Sequence, residues 1–296
     1  MTDNPFFSVI IPTYNRADFI KKTIASVLDQ QFKSFEVLVV DDGSTDNTEG
    51  VIRSISDPRI LYMKKQNGER AAARNFGIDH ARGAYITFLD SDDLLYPNHL
   101  QQAREFIIQN PDVAAFHQSF DVKTDTGRPI RNGILDGNLN KKILSGNILS
   151  CNGVFLKERC ARENKFNEDR ALSSLEDWEL WIRICARHPF LLSPTITSTI
   201  VEHDTRSVVS GSTDQIMKKI DLFCDYVTSD EQNKIVYQSA LNKATASAKT
   251  YAALHLAMVK SERRLIAQYL INGLKDNPGE IFKKRFLVIL KFLILG

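Results

Sequence analysis

The chain reads Ala84-Tyr85-Ile86-Thr87-Phe88-Leu89 and then, without a break, Asp90-Ser91-Asp92-Asp93. The first part predicts a buried β-strand, because it is apolar and rich in aromatic and β-branched residues. The carboxylates that follow therefore lie where the strand ends, and each one raises the energy of ionising the next. A divalent cation removes that penalty, and oxygen ligands favour magnesium or manganese. Such a cation completes its shell with phosphate oxygens, so the pattern indicates a site for a nucleoside diphosphate.

The same acidic residues also fit a plain polar turn at the end of a strand. In that interpretation Asp92 or Asp93 caps the next helix, and Pro97 ends the turn. For Asp93 a capping role alone is sufficient. The elements around the turn decide between the two interpretations.

Length and composition describe an ordinary globular chain. Its 296 residues suffice for one large domain or two smaller ones, and 43% are hydrophobic and 25% charged. The formal net charge of +2 gives no electrostatic argument for a nucleic-acid partner. The four cysteines show no C-x-x-C spacing, so no zinc or redox motif is predicted and we expect reduced thiols.

No export or membrane-spanning signal is predicted. The segment Met1–Pro5 is polar, and the first apolar run is a short strand rather than a signal peptide. No uninterrupted apolar stretch approaches the ~20 residues that span a bilayer. We therefore expect the protein to work in the cytoplasm.

Strand and helix signals alternate from the start of the chain to the acidic turn. The predicted elements are the strands Ser8–Ile11, Phe35–Val40, Arg59–Met63 and Ala84–Leu89, and between them the helices Ala17–Gln30, Thr45–Ser56 and Ala71–His80. This order predicts an α/β fold, with a mostly parallel, Rossmann-like sheet that carries helices on both faces. No G-x-G-x-x-G and no G-x-x-x-x-G-K-[ST] occurs, so neither a dinucleotide-binding domain nor a P-loop enzyme is predicted.

Ligands of such sheets bind beyond the carboxyl ends of the strands. Three polar clusters follow those ends here: Thr13-Tyr14-Asn15, Asp41-Asp42 and Asp90-Ser91-Asp92. Their convergence on one edge of the sheet predicts a binding site more strongly than any one cluster does.

The pattern is looser after about residue 112. We expect a strand at Val113–His117, a polar hairpin and loop at Asp121–Asn140, a helix at Leu175–Ala186 and helices from Asp214 onward. The predicted organisation is a first domain over residues 1–210 and a helical C-terminal region over residues 211–296.

Five motifs in a fixed order resemble the family 2 glycosyltransferases. They are Val9-Ile10-Ile11-Pro12-Thr13-Tyr14-Asn15, Val39-Val40-Asp41-Asp42-Gly43-Ser44-Thr45-Asp46, Ala73-Arg74-Asn75-Phe76-Gly77, Gly83 to Asp93, and Glu176-Asp177-Trp178-Glu179-Leu180-Trp181-Ile182-Arg183. The resemblance covers residues 6 to 205. It implies the GT-A fold and an enzyme that transfers a sugar from a nucleotide donor, with inversion at the anomeric carbon.

The resemblance also assigns the base-binding residues. Pro12, Thr13 and Tyr14 would line the base pocket, with the Tyr14 ring stacked near a pyrimidine. Asp42 is the main candidate for accepting a uracil-type N–H, and Asp41 is the weaker one. Both aspartates also fit a turn that caps the next helix.

For the rest of the donor, the resemblance implies that Asp92 binds the metal, Mn²⁺ or Mg²⁺, and that Asp90 contacts the ribose or donor sugar. Arg74 would approach the diphosphate or donor sugar, and Asn75 would hold the loop that faces the nucleotide; a helix start with a solvent-facing arginine is the alternative. His203 lies where relatives have a histidine on the metal or diphosphate, although a lone histidine is more often structural.

The resemblance also implies that Asp177 is the catalytic base. An inverting transfer needs a carboxylate that takes the proton of the acceptor hydroxyl, and a helix N-terminus helps to keep that carboxylate ionised. Glu176 would support Asp177 or contact the acceptor. An ordinary carboxylate in the first turn of a helix is the alternative.

Two departures from the family pattern limit what the resemblance implies. The segment Asn164–Asp169 lacks the usual Gly-Gly-Phe-Asp-Glu run, so the identity of the acceptor cannot be inferred from relatives. No Q-x-x-R-W follows Asp177, which favours the addition of one sugar per encounter over processive synthesis.

The expected partners are a nucleotide-sugar donor, UDP-linked by default with thymidine and guanosine donors open, and a glycan or lipid-linked acceptor in cell-surface polysaccharide synthesis. The alternatives are a sugar-nucleotide nucleotidyltransferase and a non-catalytic glycan- or nucleotide-binding protein on the same fold.

The C-terminal segment Ile281–Leu295 is basic and strongly apolar, and Lys291 interrupts it. As a helix it could lie in an anionic membrane surface, with its cations near the headgroups. The alternative is a core or oligomer-interface helix that closes the helical region. We expect peripheral membrane contact.

Overall fold

The structure is a computed structural model that describes residues 4–133, 135–203 and 212–295. It contains two compact units, each built from several segments of the chain. The first comprises Met1–Leu139, Leu149–Glu168 and His188–Thr205, and the second comprises Asn140–Ile148, Asp169–Arg187 and Arg206–Gly296. The predicted boundary after residue 210 lies outside the described residues and stays a prediction.

The elements of the described residues follow the predicted alternation through the first half of the chain. In order they are β1 (Phe7–Thr13), α1 (Ala17–Leu28), β2 (Phe35–Asp41), α2 (Thr48–Arg53), β3 (Ile60–Lys64), α3 (Glu69–His80), β4 (Tyr85–Phe88), β5 (Leu94–Leu95), α4 (His99–Gln109), β6 (Ala115–Thr124), β7 (Pro129–Gly133), α5 (Leu139–Lys142), β8 (Val154–Lys157), α6 (Glu158–Glu163), α7 (Glu176–Arg187), β9 (Leu191–Glu202), α8 (Thr213–Ser229), α9 (Glu231–Tyr237), α10 (Leu241–Met258), α11 (Arg263–Asp276) and α12 (Lys284–Leu295).

Within the described residues, the first unit contains one sheet of nine strands in the order β3-β2-β1-β4-β8-β6-β9-β5, with β7 paired to β6. The strands β3, β2, β1 and β4 are mutually parallel, as predicted. The other half is mixed, because β8 runs antiparallel to both β4 and β6 while β9 runs parallel to β6. The parallel half presents the carboxyl ends of four strands at one edge.

The alternation of side chains along β1 separates the two faces of the sheet. Val9 and Ile11 pack into the apolar core that also holds Ile24 of α1. Ile10 points to the other face, where α3 crosses at Gly77. A Cβ at Gly77 would lie 2.5 Å from Cγ2 of Ile10, so this close helix–strand approach requires glycine.

One predicted helix is shorter than expected. The pattern predicts a helix over Thr45–Ser56, whereas α2 begins at Thr48. The carboxylate of Asp46 explains the difference, because it accepts hydrogen bonds from the N–H of Thr48 at 3.0 Å and from the N–H of Ala17 at 3.2 Å. These bonds hold the preceding residues in a turn that links the loops after β1 and β2.

In the second unit, α7 packs against α8 and α9. The Nε1–H of Trp178 donates to the carbonyl of Ile143 at 2.7 Å, and its ring stacks on Phe223 at a centroid distance of 4.4 Å. Helix α10 contacts α8, α11 and α12 through small, buried alanines. Among the described residues, no helix is both long and apolar enough to cross a membrane.

A buried histidine makes the stability of the first unit depend on pH. The side chain of His99 is fully buried, and its Nδ1–H donates to Oγ1 of Thr197 at 2.8 Å, whose hydroxyl donates to Oε1 of Gln118 at 2.7 Å. Burial lowers the pKa of His99 from 6.5 to about 3. The unfolded chain therefore binds a proton below pH 6.5 that the folded chain does not bind.

We expect protonation of His99 in the unfolded chain to lower the free energy of unfolding by about 2 kcal/mol when the pH falls from 7.5 to 5.0. His99→Asn keeps an N–H donor for Thr197 but does not titrate, so its stability should fall less over this range. Denaturant unfolding at both pH values measures the difference. His80→Asn, at an exposed position, is the control. An unchanged pH dependence in His99→Asn would contradict the assignment.

Candidate active site

The three predicted polar clusters meet at one edge of the sheet in the first unit. Thr13 is in register with Asp41, and Asp41 with Lys64. The N–H of Asp42 donates to the carbonyl of Thr13 at 2.8 Å, so the loops after β1 and β2 lie side by side. The N–H of Leu89 donates to the carbonyl of Ile10 at 2.9 Å, which places the acidic turn after β4 beside β1.

The residues predicted for the base pocket follow β1 directly. Pro12 and Thr13 are buried, whereas Tyr14 is 48% exposed and can offer its ring to a base. The hydroxyl of Thr13 is buried and has no hydrogen-bond partner among the described residues. Asn15 fixes the loop, since its Oδ1 accepts from the N–H of Thr45 at 2.8 Å. The loop therefore exposes one aromatic ring and keeps one unpaired hydroxyl buried.

The two neighbouring aspartates after β2 have different surroundings. Asp41 is fully buried and accepts hydrogen bonds from the hydroxyl of Tyr62 and the N–H of Ser44, both at 2.7 Å. Burial, together with the bond to Asp41, raises the pKa of the Tyr62 phenol. Asp41 thus holds the loop and β3 in place, which makes it unsuited to bind a base.

Asp42 faces the segment that follows β3 instead. Its carboxylate accepts from Nζ of Lys65 at 2.8 Å, and the N–H of Gly68 lies 2.9 Å from Oδ1 and 3.1 Å from Oδ2. The Asp42 side chain is 4% exposed. A buried carboxylate with a directed lone pair suits an N–H donor such as that of a base, which fits the predicted role.

Arg74 and Asp90 form a largely buried ion pair at the end of β4. Nη2 of Arg74 lies 2.7 Å from Oδ1 of Asp90, and the exposed fractions of the two side chains are 2% and 32%. The guanidinium also lies over the ring of Phe166, at 5.2 Å from the ring centroid. The alternative of a solvent-facing arginine is therefore wrong. Asp90 keeps one side toward solvent, where a sugar or ribose hydroxyl can reach it.

Asn75, the next residue on α3, holds the chain segment that contains Phe166. Its Nδ2 donates to the carbonyl of Phe166 at 2.9 Å and to Oε1 of Glu168 at 2.7 Å, while its Oδ1 accepts from the N–H of Phe166 at 2.9 Å. Asn75 thus fixes the segment against which Arg74 packs.

Asp92 lies beside His203 at the end of β9. The distance from Nε2 of His203 to Oδ2 of Asp92 is 3.1 Å, and Nε of Arg16 lies 3.8 Å from the same oxygen. The predicted helix cap at Asp93 is wrong, because the N-cap of α4 is Asn98. The carboxylate of Asp93 instead accepts from the N–H of Val201 at 3.0 Å, which fixes the strand end two residues before His203. The structure therefore brings together the two residues predicted to bind a metal.

The donor atoms of this pair fit a divalent cation of the manganese type. Carboxylate oxygen and imidazole nitrogen both ligate Mn²⁺, and Mg²⁺ accepts the carboxylate with water and phosphate oxygens. Among the described residues, no group of three or more His, Cys, Asp or Glu side chains is arranged to hold a metal. A metal bound by Asp92 and His203 would thus need further oxygens from a diphosphate or water.

The predicted catalytic residues belong to the second unit, in the first turn of α7. Oδ2 of Asp177 accepts from Nδ2 of Asn147 at 2.8 Å, and Oδ1 accepts from the N–H of Trp178 at 2.7 Å. Glu176 is 2% exposed and accepts from the N–H of Ser174 at 2.6 Å. Both carboxylates are thus oriented by neighbouring donors.

Sequence reasoning missed two cations of the first unit. Lys65 pairs with Asp42, and Arg16 approaches Asp92 and lies over the ring of Phe19 at 5.8 Å. Arg16 directly follows the polar cluster Thr13-Tyr14-Asn15, and Lys65 directly follows β3. These positions were the only signal in the sequence that the two cations lie near the site. A single lysine or arginine at such a position is normally solvated, so the sequence did not distinguish them.

Comparisons with known proteins identify the family of this chain. Residues 8–158 match the family model described as glycosyl transferase family 2. An uncharacterized glycosyltransferase of Rickettsia conorii is 31% identical over 294 residues, which cover 97% of this chain and 47% of that protein. The chain thus spans about half the length of this curated relative.

Two solved structures share the fold. S. aureus TarS 1-349 in complex with UDP aligns with a TM-score of 0.70 and 20% identity, covering 93% of this chain and 82% of that one. The mannosyltransferase PcManGT from Pyrobaculum calidifontis, in complex with GDP-Man and Mn²⁺, aligns with a TM-score of 0.61 and 20% identity, covering 99% and 86%.

The chain belongs to glycosyl transferase family 2, because the family model matches more than half of it. The predicted resemblance and the GT-A fold with a helical C-terminal region are confirmed. The roles of individual residues stay predictions.

Proposed function

We propose that this protein is a metal-dependent, inverting glycosyltransferase that moves one sugar per encounter from a nucleotide-diphosphate donor to a glycan or lipid-linked acceptor. A UDP-sugar is the proposed donor, and cell-surface polysaccharide synthesis is the proposed context. The observation that carries the proposal is the convergence at one sheet edge of an exposed aromatic ring, a buried carboxylate and a carboxylate–imidazole pair, from Tyr14, Asp42, Asp92 and His203.

The order of these groups along the sheet matches the order of groups in a nucleotide sugar. Tyr14 and Asp42 follow the adjacent strands β1 and β2 and would bind the base. Asp92 and His203 would hold Mn²⁺ or Mg²⁺, which as a Lewis acid neutralises charge on the diphosphate. Asp90, held by Arg74, would accept a hydrogen bond from a hydroxyl of the ribose or donor sugar.

Asp177 would act as the catalytic base. Its carboxylate would take the proton of the acceptor hydroxyl while that oxygen forms a bond to the anomeric carbon, and the bond from this carbon to the diphosphate breaks. The hydrogen bonds from Asn147 and Trp178 to the two carboxylate oxygens support this role, because they fix the carboxylate in one orientation. Glu176 would support the turn that carries Asp177.

The test is a transfer assay with UDP-, dTDP- and GDP-sugars, a membrane-lipid and glycan extract as acceptor, and Mn²⁺. We expect release of the nucleoside diphosphate together with incorporation of labelled sugar into the extract. Nucleotide binding without transfer to any acceptor fraction would favour the non-catalytic alternative. Slow hydrolysis of the donor without an acceptor decides nothing, since transferases also transfer to water.

We further propose that α12 contacts the inner face of an anionic membrane. Ile289 anchors the helix because it is fully buried, and Arg285 donates to Oγ of Ser247 at 2.7 Å. The opposite face exposes Leu287 and Ile294 next to the exposed Lys291. An apolar face flanked by cations favours an anionic lipid surface.

Co-sedimentation with vesicles tests this contact. We expect the double variant Phe282→Ser/Leu287→Ser to bind phosphatidylglycerol vesicles at least about fivefold more weakly than wild type, because both side chains are exposed. Ile271→Ser, at an exposed apolar position of α11, is the control and should bind normally. Equal binding by all three proteins would contradict the proposed contact.

A further inference from the structure

The ion pair between Lys65 and Asp42 lies within the proposed base pocket and has no role in the transfer chemistry. Nζ of Lys65 lies 2.8 Å from Oδ1 of Asp42 and donates to the carbonyl of Gln66 at 2.7 Å. The exposed fractions are 19% for the Lys65 side chain and 4% for that of Asp42. These two hydrogen bonds therefore hold the ammonium group beside Oδ1 of Asp42.

The two oxygens of Asp42 differ in the hydrogen bonds that they accept. Among the described residues, Oδ1 accepts from Nζ of Lys65 and from the N–H of Gly68, whereas Oδ2 accepts only from the N–H of Gly68, at 3.1 Å. Each carboxylate oxygen can accept two hydrogen bonds. Oδ2 thus keeps capacity for one further donor, while Oδ1 is filled.

Thr13 lies on the other side of Asp42. The carbonyl of Thr13 accepts from the N–H of Asp42 at 2.8 Å, and its hydroxyl is buried without a partner among the described residues. Thr13, Asp42 and Lys65 come from the ends of the adjacent strands β1, β2 and β3. Along the edge they present a hydroxyl that can donate, a carboxylate that accepts and an ammonium that donates.

This donor–acceptor–donor order is complementary to one kind of base edge. Uracil and thymine present a carbonyl, an N–H and a second carbonyl, so each group finds its counterpart. Guanine presents a carbonyl, an N–H and an amino group, and therefore needs two free acceptors on the carboxylate. Cytosine and adenine present an amino group next to a ring nitrogen that accepts, which leaves Asp42 facing a lone pair.

We propose that Lys65 is a specificity-determining residue, which donates to a carbonyl of a uracil-type base, fills Oδ1 of Asp42 and thereby excludes guanine. This inference rests on the proposed function and narrows its donor to a uridine or thymidine diphosphate sugar. Lys65 could instead contact the diphosphate directly, and the experiment must distinguish that role from a contact with the base.

The test measures the affinities of UDP, GDP and uridine, in the presence of Mn²⁺, for wild type, Lys65→Met and Lys64→Met. Lys64 precedes Lys65 but pairs with Glu49 at 3.3 Å and is 42% exposed, which makes it the matched control. We expect wild type and Lys64→Met to prefer UDP over GDP. Lys65→Met should bind both UDP and uridine about tenfold more weakly, since it loses a charged hydrogen bond to the base.

The expected change in GDP affinity depends on which oxygens of Asp42 are free to accept a hydrogen bond. Removal of the Lys65 ammonium frees Oδ1, so GDP affinity of Lys65→Met should stay constant or rise, and the preference for UDP should fall. Melting temperatures measured alongside confirm that all three proteins are folded.

Three results would overturn the inference while leaving the proposed transferase activity intact, and the first of them would also replace the UDP-sugar proposed as its donor. They are a preference of wild type for GDP, an unchanged preference in Lys65→Met, and a loss confined to UDP with uridine unaffected, which would assign Lys65 to the diphosphate. Absence of binding of any nucleotide by folded wild type would contradict the proposed function and the inference together.

Discussion

Asp177→Asn is expected to abolish sugar transfer and to leave nucleotide binding unchanged. The amide cannot take a proton at neutral pH but keeps the size of the carboxylate, and its single oxygen can still accept one of the two hydrogen bonds, from Asn147 or from the N–H of Trp178. Loss of a general base typically lowers the rate by about 10²- to 10⁴-fold. The measurement is kcat for transfer, together with the dissociation constant for UDP with Mn²⁺.

The control for this variant is Glu231→Gln. Glu231 also lies in the first turn of a helix of the second unit, but its side chain is 80% exposed and pairs with Lys234. It tests the interpretation of Asp177 as an ordinary helix carboxylate, because an ordinary one should tolerate the change. Near-normal transfer by Asp177→Asn would show that Asp177 is not the base.

Asp92→Ala should weaken UDP binding in the presence of Mn²⁺ by at least about 10- to 100-fold, because even indirect metal contacts contribute that much to metal affinity. Without metal, both proteins should bind UDP equally weakly. The reason is that the carboxylate of Asp92 would contribute to UDP binding only through the cation. In Asp92→Ala, His203 would be the one remaining ligand of this pair.

Titration calorimetry with and without Mn²⁺ measures this difference. Asp79→Ala removes an exposed aspartate that pairs with Lys165, and it should behave as wild type. If Asp92→Ala kept the metal-dependent affinity of wild type, Asp92 would not be a metal ligand and its pairing with His203 would be structural.

The parallel half of the fold could be predicted because each of its strands is a short apolar run followed by a helical pattern. The mixed half could not, since β8 spans only Val154–Lys157 and β5 only Leu94–Leu95. Such short strands carry no periodic signal of their own, and they form because other strands offer them pairing edges: β4 and β6 for β8, and β9 for β5. Long-range pairing of this kind is absent from local sequence patterns.

The same distinction applies to the candidate site. The carboxylates Asp42, Asp90 and Asp92 were predictable because they follow strand ends that must meet at one edge. The contact of Asp42 with Lys65, 23 residues further along the chain, was not predicted, because local sequence patterns carry no information on such a pairing. His203, which lies 111 residues after Asp92, was predicted only through the family resemblance.

The most direct test of the central claim is calorimetric titration of the wild-type protein with UDP, dTDP and GDP, each with and without Mn²⁺. A metal-dependent nucleotide site at the sheet edge predicts tight binding of UDP with Mn²⁺, weaker binding of GDP, and a large loss of affinity when the metal is omitted. Absence of binding of all three nucleotides by folded protein would contradict the transferase site, and would make Asp90 and Asp92 ordinary turn residues.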